Sequence, residues 1–183
     1  MIGVSLRDVL ATVNPPKAAD TIVLYFANGM EIAIPRAEQK TIGKDVARAD
    51  AWSHVLGVTV GQDISDRVAQ FAAKPPHFDL GKSFDTFGPL GPVLVTRDEI
   101  PNPNALRIRT VLNGAVMQDW NTDDMIFDVP TLIEYFSAFM TLYPGDLILT
   151  GTPDGVVDCR PGDVIVTEIE GVGALVNTIT AQG

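Results

Sequence analysis

Gly81-Lys82-Ser83-Phe84-Asp85-Thr86-Phe87-Gly88-Pro89-Leu90-Gly91-Pro92 and Leu149-Thr150-Gly151-Thr152-Pro153 frame the middle of the chain. Each places polar groups where a predicted strand hands over to a loop. The first offers the Lys82 ammonium, and the second offers two hydroxyls and the N–H groups of a Gly-containing turn. A β-scaffold presents polar groups to a small anionic ligand in this way. Between them Asn113-Gly114 reads as a hairpin turn joining Leu106–Leu112 to Ala115–Met117.

The same signals continue on both sides. Ile22-Val23-Leu24-Tyr25-Phe26 is a β-branched and aromatic run, read as a buried strand. Asn28-Gly29 turns it back into Glu31–Pro35, which alternates polar and apolar. Asp45 is placed to cap a helix ending near Leu56, with Gly57 as its stop. Val58-Thr59-Val60 and Val93-Leu94-Val95 are short strands. Asp128-Val129-Pro130 begins a helix whose predicted apolar face is Leu132, Ile133, Phe136, Phe139 and Met140. Pro-Gly-Asp turns then introduce strands at Leu147–Leu149 and Val164–Glu170, and a last strand covers Ala174–Ile179. Many short strands with two or three helices predict an α+β, mainly β domain spanning residues 1–183.

Composition narrows the partners. Hydrophobic residues at 46% and charged residues at 20% are ordinary for a soluble globular chain of 183 residues. A formal net charge of −10 leaves no surplus of Lys and Arg for phosphates or an anionic bilayer, so neither a nucleic-acid nor a membrane partner is expected. The single Cys159 excludes an internal disulfide and suits a reducing compartment. No apolar run approaches membrane-spanning length and no signal peptide is evident, which predicts a cytoplasmic protein.

The candidate site residues are few. Asp63 follows a short strand, where a carboxylate suits a hard divalent cation and also suits a turn or helix cap. Lys82, beside an aromatic segment, could pair with a carboxylate or an enolate oxygen. Thr150-Gly151-Thr152 could cradle a carboxylate. Only His54 and His77 exist, and no Gly-x-Ser-x-Gly occurs, so hydrolysis by a Ser-His-Asp triad has no motif. Cys159 lies among turn residues without a neighbouring His and is expected to be inert.

Lys82 to Pro92, Asn113 to Phe127 and Pro144 to Val156 together resemble the fumarylacetoacetate hydrolase family, whose KSFDTFxPxGP, NGxxxQxxNTxxMIF and PGDxIxTGTPxGV segments they match in order. The resemblance covers roughly the last two-thirds of the chain. It implies a compact mixed β-roll, a homodimer, and an enzyme acting on a small 2-oxo or 1,3-dicarbonyl carboxylic acid. The implied reactions are C–C hydrolysis, decarboxylation or keto–enol isomerisation through a stabilised enolate. By position it implies a divalent metal, Mg²⁺ or Mn²⁺, on Asp63, catalysis by Lys82, and substrate binding by Arg67, Gln70, Thr150, Gly151 and Thr152.

The first third departs from that pattern. Anchoring on Ile42-Gly43 puts Pro35 and Ala37 where the family carries its Glu-x-Glu metal ligands, with Glu31 and Glu38 as candidate substitutes. Val9 and Thr12 fall where the family's water-activating His and Glu would stand. A cation held by one carboxylate is bound weakly, so the metal site is expected to be atypical. The alternative to an enzyme is a degenerate family member, kept as a structural or ligand-binding subunit without turnover.

Overall fold

A computed structural model of the protein describes the backbone of residues 22–24, 29–34 and 43–181, and the side chains of residues 43–181. Eight strands form two antiparallel four-stranded sheets. The first is ordered β1 (Ile22–Leu24), β2 (Gly29–Ile34), β3 (Gly57–Gly61), β4 (Leu90–Thr96). The second is ordered β6 (Ala115–Asn121), β5 (Arg107–Leu112), β7 (Val164–Ile169), β8 (Gly173–Thr178). Two α-helices accompany them, α1 (Arg67–Phe71) and α2 (Val129–Phe139). The fold is α+β and mainly β, as expected.

Each turn has a local cause. Asn113 and Gly114 adopt φ of 50° and 86°, the left-handed geometry that lets a two-residue turn follow the twist of β5 and β6. Asp128 caps α2 by accepting from Thr131 N–H at 3.0 Å, with Pro130 in the first turn. The core, led by Val58, Val60, Ile108, Ile133 and Ile169, fills the space between the sheets and α2. At one level that core is polar. Thr167 donates to Gln62 Oε1 and lies 3.4 Å from the Thr110 hydroxyl, which links the two sheets through buried side chains.

Four expectations change. The segment after Asp45 is a 3₁₀ helix at Arg48–His54, and Asp45 takes φ 51° instead of capping it. It is stitched to α2 by side chains: Lys44 Nζ donates to the Ser137 and Ala138 carbonyls at 3.1 and 2.6 Å, and Val46 N–H donates to Ser137 Oγ at 2.9 Å. Gly57 is not a helix stop but the first residue of β3. A Cβ there would lie 2.2 Å from the Val95 carbonyl oxygen, so glycine is required for β3 and β4 to pack. Phe139 and Met140 are exposed, at 72% and 52%, while Val129 and Ser137 are the buried partners of Ile133 on α2. Leu147–Leu149 carries no ladder among the described residues and is not a strand. Tyr25, Phe26, Asn28, Pro35 and the predicted N-terminal loop lie outside the described residues.

Candidate active site

The site grows from the end of β3. Beyond Gly61 the chain leaves the sheet with Gln62 anchored twice, its N–H on the Pro89 carbonyl at 3.1 Å and its Oε1 held by Thr167. Asp63 follows, and Asp66 then caps α1 by accepting from Ala69 N–H at 3.0 Å. The segment carrying Lys82 docks onto α1 because Gly81 has no side chain. A Cβ there would sit 2.5 Å from Gln70 Cγ, and the Gly81 carbonyl accepts from Asp66 N–H at 2.7 Å.

This docking brings Lys82 to Asp63 across 19 residues of chain. Lys82 Nζ donates to Asp63 Oδ2 and, at 3.0 Å, to Ser65 Oγ. The Asp63 side chain is 13% exposed and that of Lys82 30%, so the pair is partly withdrawn from water. Its attraction exceeds that of a surface pair, while the ammonium keeps a face toward solvent. Arg67, the first residue of α1, donates from Nη1 to Oε1 of Gln70 one turn on, at 2.9 Å.

Asp63, Ser65 and Arg67 line a cavity of about 1440 Å³, whose walls include Phe84, Phe87 and Met117. Phe84 and Phe87 meet edge to face, with centroids 5.5 Å apart. Gln70 is fully buried behind Arg67 and does not line the cavity. Thr150-Gly151-Thr152 stands off the cavity wall but is tied to it. Gln118 of β6, which lines the cavity, donates from Nε2 to Thr152 Oγ1 at 3.2 Å and to the Pro153 carbonyl at 3.0 Å. Gly151 has φ 106°, and a Cβ built on it meets nothing within 4 Å, so the turn faces open space. Thr150 Oγ1 has no hydrogen-bond partner among the described residues.

Sequence reasoning had not singled out Ser65, Gln62 or Gln118. Gln118 is the glutamine of the second quoted segment, and that motif position was the available signal. Cys159 lines the cavity, but burial first, then Asp163 and Asp158, pushes its thiol above the usual range, which keeps it protonated and unreactive at neutral pH.

The described side chains do not complete a metal site. No three His, Cys, Asp or Glu side chains converge among the described residues, and the Asp63 carboxylate is engaged by Lys82. Pro35 and Ala37 lie outside the described residues. The strand that does pair with β3 is β2, whose register sets Gly29 opposite Gly61 and Glu31 opposite Thr59.

The two-sheet α+β scaffold thus carries a charged pair at a strand end next to a cavity, and a Thr-Gly-Thr turn tied to the cavity wall through Gln118. The chain belongs to the fumarylacetoacetate hydrolase family: residues 29–180 match the family described as Fumarylacetoacetate (FAA) hydrolase C-terminal. Among curated relatives, the bovine mitochondrial oxaloacetate tautomerase FAHD2A is 46% identical over 144 residues, covering 75% of this chain and 46% of that protein. The chain thus spans less than half the length of that relative. Among solved structures, 2-hydroxyhepta-2,4-diene-1,7-dioate isomerase from Mycobacterium marinum shares 40% identity at a TM-score of 0.76, with 91% of this chain and 61% of that one covered. Maleylpyruvate hydrolase from Sphingobium sp. SYK-6, solved with manganese(II) and pyruvate, shares 32% identity at a TM-score of 0.74, with coverages of 87% and 55%.

Proposed function

We propose that the protein is an enzyme acting on a small 2-oxo carboxylic acid or its 1,3-dicarbonyl equivalent, and that keto–enol isomerisation is the reaction its residues suit best. The observation that carries this reading is Lys82 Nζ, held by Asp63 and Ser65, two residues that line the cavity although Lys82 itself stands behind them. An ammonium fixed beside the substrate's 2-oxo oxygen favours the enolate over the ketone, because negative charge grows on that oxygen as C3 loses its proton. Isomerisation needs only this stabilisation and a proton acceptor. Hydrolysis additionally needs an activated water, and neither His54 nor His77 lines the cavity to activate one. Thr150 to Thr152 would receive the substrate carboxylate, and Arg67, oriented by Gln70, would extend the positive field at the mouth. The relatives named as a tautomerase and an isomerase support the same reaction class.

A divalent metal, when bound, would polarise the carboxylate and 2-oxo oxygens together. Asp63 would be one ligand, with Glu31 or Glu38 as the candidate second. Position 31 shares a sheet face with Thr59, which lines the same cavity as Asp63. A homodimer suits the exposed Tyr135, Phe139, Met140 and Tyr143 on and beside α2. No described helix is long and apolar enough to cross a membrane, and a cytoplasmic location is part of this reading. The competing reading, a family member retained for binding alone, gains from the incomplete metal site but leaves the Asp63–Lys82–Ser65 cluster without a purpose.

The test is Lys82→Met, assayed by loss of enol absorbance from oxaloacetate above the spontaneous rate. Removing one oxyanion-stabilising donor should lower kcat on the order of 10²- to 10³-fold with an unchanged circular dichroism spectrum. Wild-type turnover in the Lys82→Met variant would remove Lys82 from the chemistry and sink the reading.

A further inference from the structure

We infer that Gln118 is a positioning residue that sets the geometry of the Thr150–Thr152 turn from beneath. The substrate-binding consequence rests on the reading above; the positioning itself does not. Three features of β6 converge on this loop. The first is a β-bulge: Thr110 pairs with Gln118, but Val111 pairs with Val116, which leaves Met117 as the extra residue. Bulges of this kind re-aim side chains next to active sites. The second is the aim that results. Gln118 is 2% exposed, and its amide donates to both Thr152 Oγ1 and the Pro153 carbonyl, so one buried group grips the loop at two consecutive residues. The third is a close approach. Gly155 packs its Cα against the bulged Met117, where a Cβ would lie 2.2 Å from the Met117 oxygen and 3.0 Å from Gln118 Cγ.

The loop gains from such a support because residues 147–155 carry no strand pairing among the described residues. Positive φ at Gly151 and Gly155 leaves such a turn many conformations to sample unless a side chain holds it. A buried amide with two donors fixes both its height and its tilt. Because Gln118 is also on the cavity wall, the same side chain keeps the neutral turn in register with the charged Asp63–Lys82 cluster.

The decisive variant is Gln118→Met, which keeps the volume and removes both donated bonds. Hydrogen exchange should speed up about tenfold or more at the amides of 149–155 while β5, β7 and β8 stay protected. KM for oxaloacetate and the dissociation constant for oxalate should rise about tenfold, with kcat within about threefold. Adding Thr152→Val to Gln118→Met should cost less than the sum of the single changes, since the two share a bond. Unchanged exchange at 149–155 would overturn the inference, and so would faster exchange spread evenly over both sheets, which marks a merely structural residue. If the wild-type protein neither turns over oxaloacetate nor binds oxalate, the functional reading fails, and the exchange result alone decides the role of Gln118.

Discussion

The Asp63–Lys82 cluster and the Thr150–Thr152 turn, the two halves of the proposed site, are built in opposite ways. The cluster is charged, drawn together over 19 residues by a glycine contact, and held by its own ion pair. The turn is neutral, has no ladder, and is held by an amide from another strand. The difference teaches a division of labour. In the proposed reaction, an ammonium placed where charge changes acts on the barrier, whereas fixed hydroxyls and N–H groups bind ground and transition states alike.

That division can be broken by experiment. The largest expected effect is the loss of kcat in Lys82→Met, against which Thr152→Val should raise KM and spare kcat; if both variants shift the same constant, the comparison collapses. Gly155→Ala comes next. At φ 100° and against the Met117 oxygen it should destabilise the loop on the order of 1–3 kcal/mol, read as a lower Tm together with weaker oxalate binding and an intact cluster. Calorimetric titration of Mn²⁺ sharpens the charged side. Binding should weaken about tenfold or more in both Asp63→Asn and Glu31→Gln, and an unaffected Glu31→Gln would remove that residue from the site.

The smallest effect is a pH dependence remote from both. Burial pushes His54 below its ordinary value, an effect that Asp50 partly opposes. Its neutral form is therefore favoured in the folded state. The stability it contributes is present above pH about 6.5 and is lost as pH falls below that value, because the unfolded chain takes up the proton first. A slight fall in Tm between pH 7.5 and 5.5 that disappears in His54→Gln would show it.

Much of this arrangement was legible in the sequence. The Asn113-Gly114 hairpin and the Asp128 cap announce themselves through short-range chemistry that needs no tertiary partner, whereas Lys82 and Thr150–Thr152 stand out only through the family motifs around them. Gly57 misled because a glycine after a helical pattern reads as a stop, while its actual reason is a backbone in the neighbouring strand. Phe139 and Met140 fit a helical stripe, but the helix ends at Phe139, and it is Leu142 beyond the end that enters the core. Ser65 and Gln118 were missed for a related cause: their roles come from a docked loop and a bulge, and neither leaves a periodic trace.

The link between Thr167 and Gln62 spans 105 residues of chain, whereas the β5–β6 hairpin closes over a two-residue turn. Loop-closure entropy and contact order place local pairings early in folding and long-range ones late. Gln62 is the residue before Asp63, so one of the two anchors behind the carboxylate forms only when the two sheets meet. A chain with the first sheet formed and the second not yet docked would hold Asp63 and Lys82 together on a looser footing, and ligand affinity would report how far the two sheets have closed.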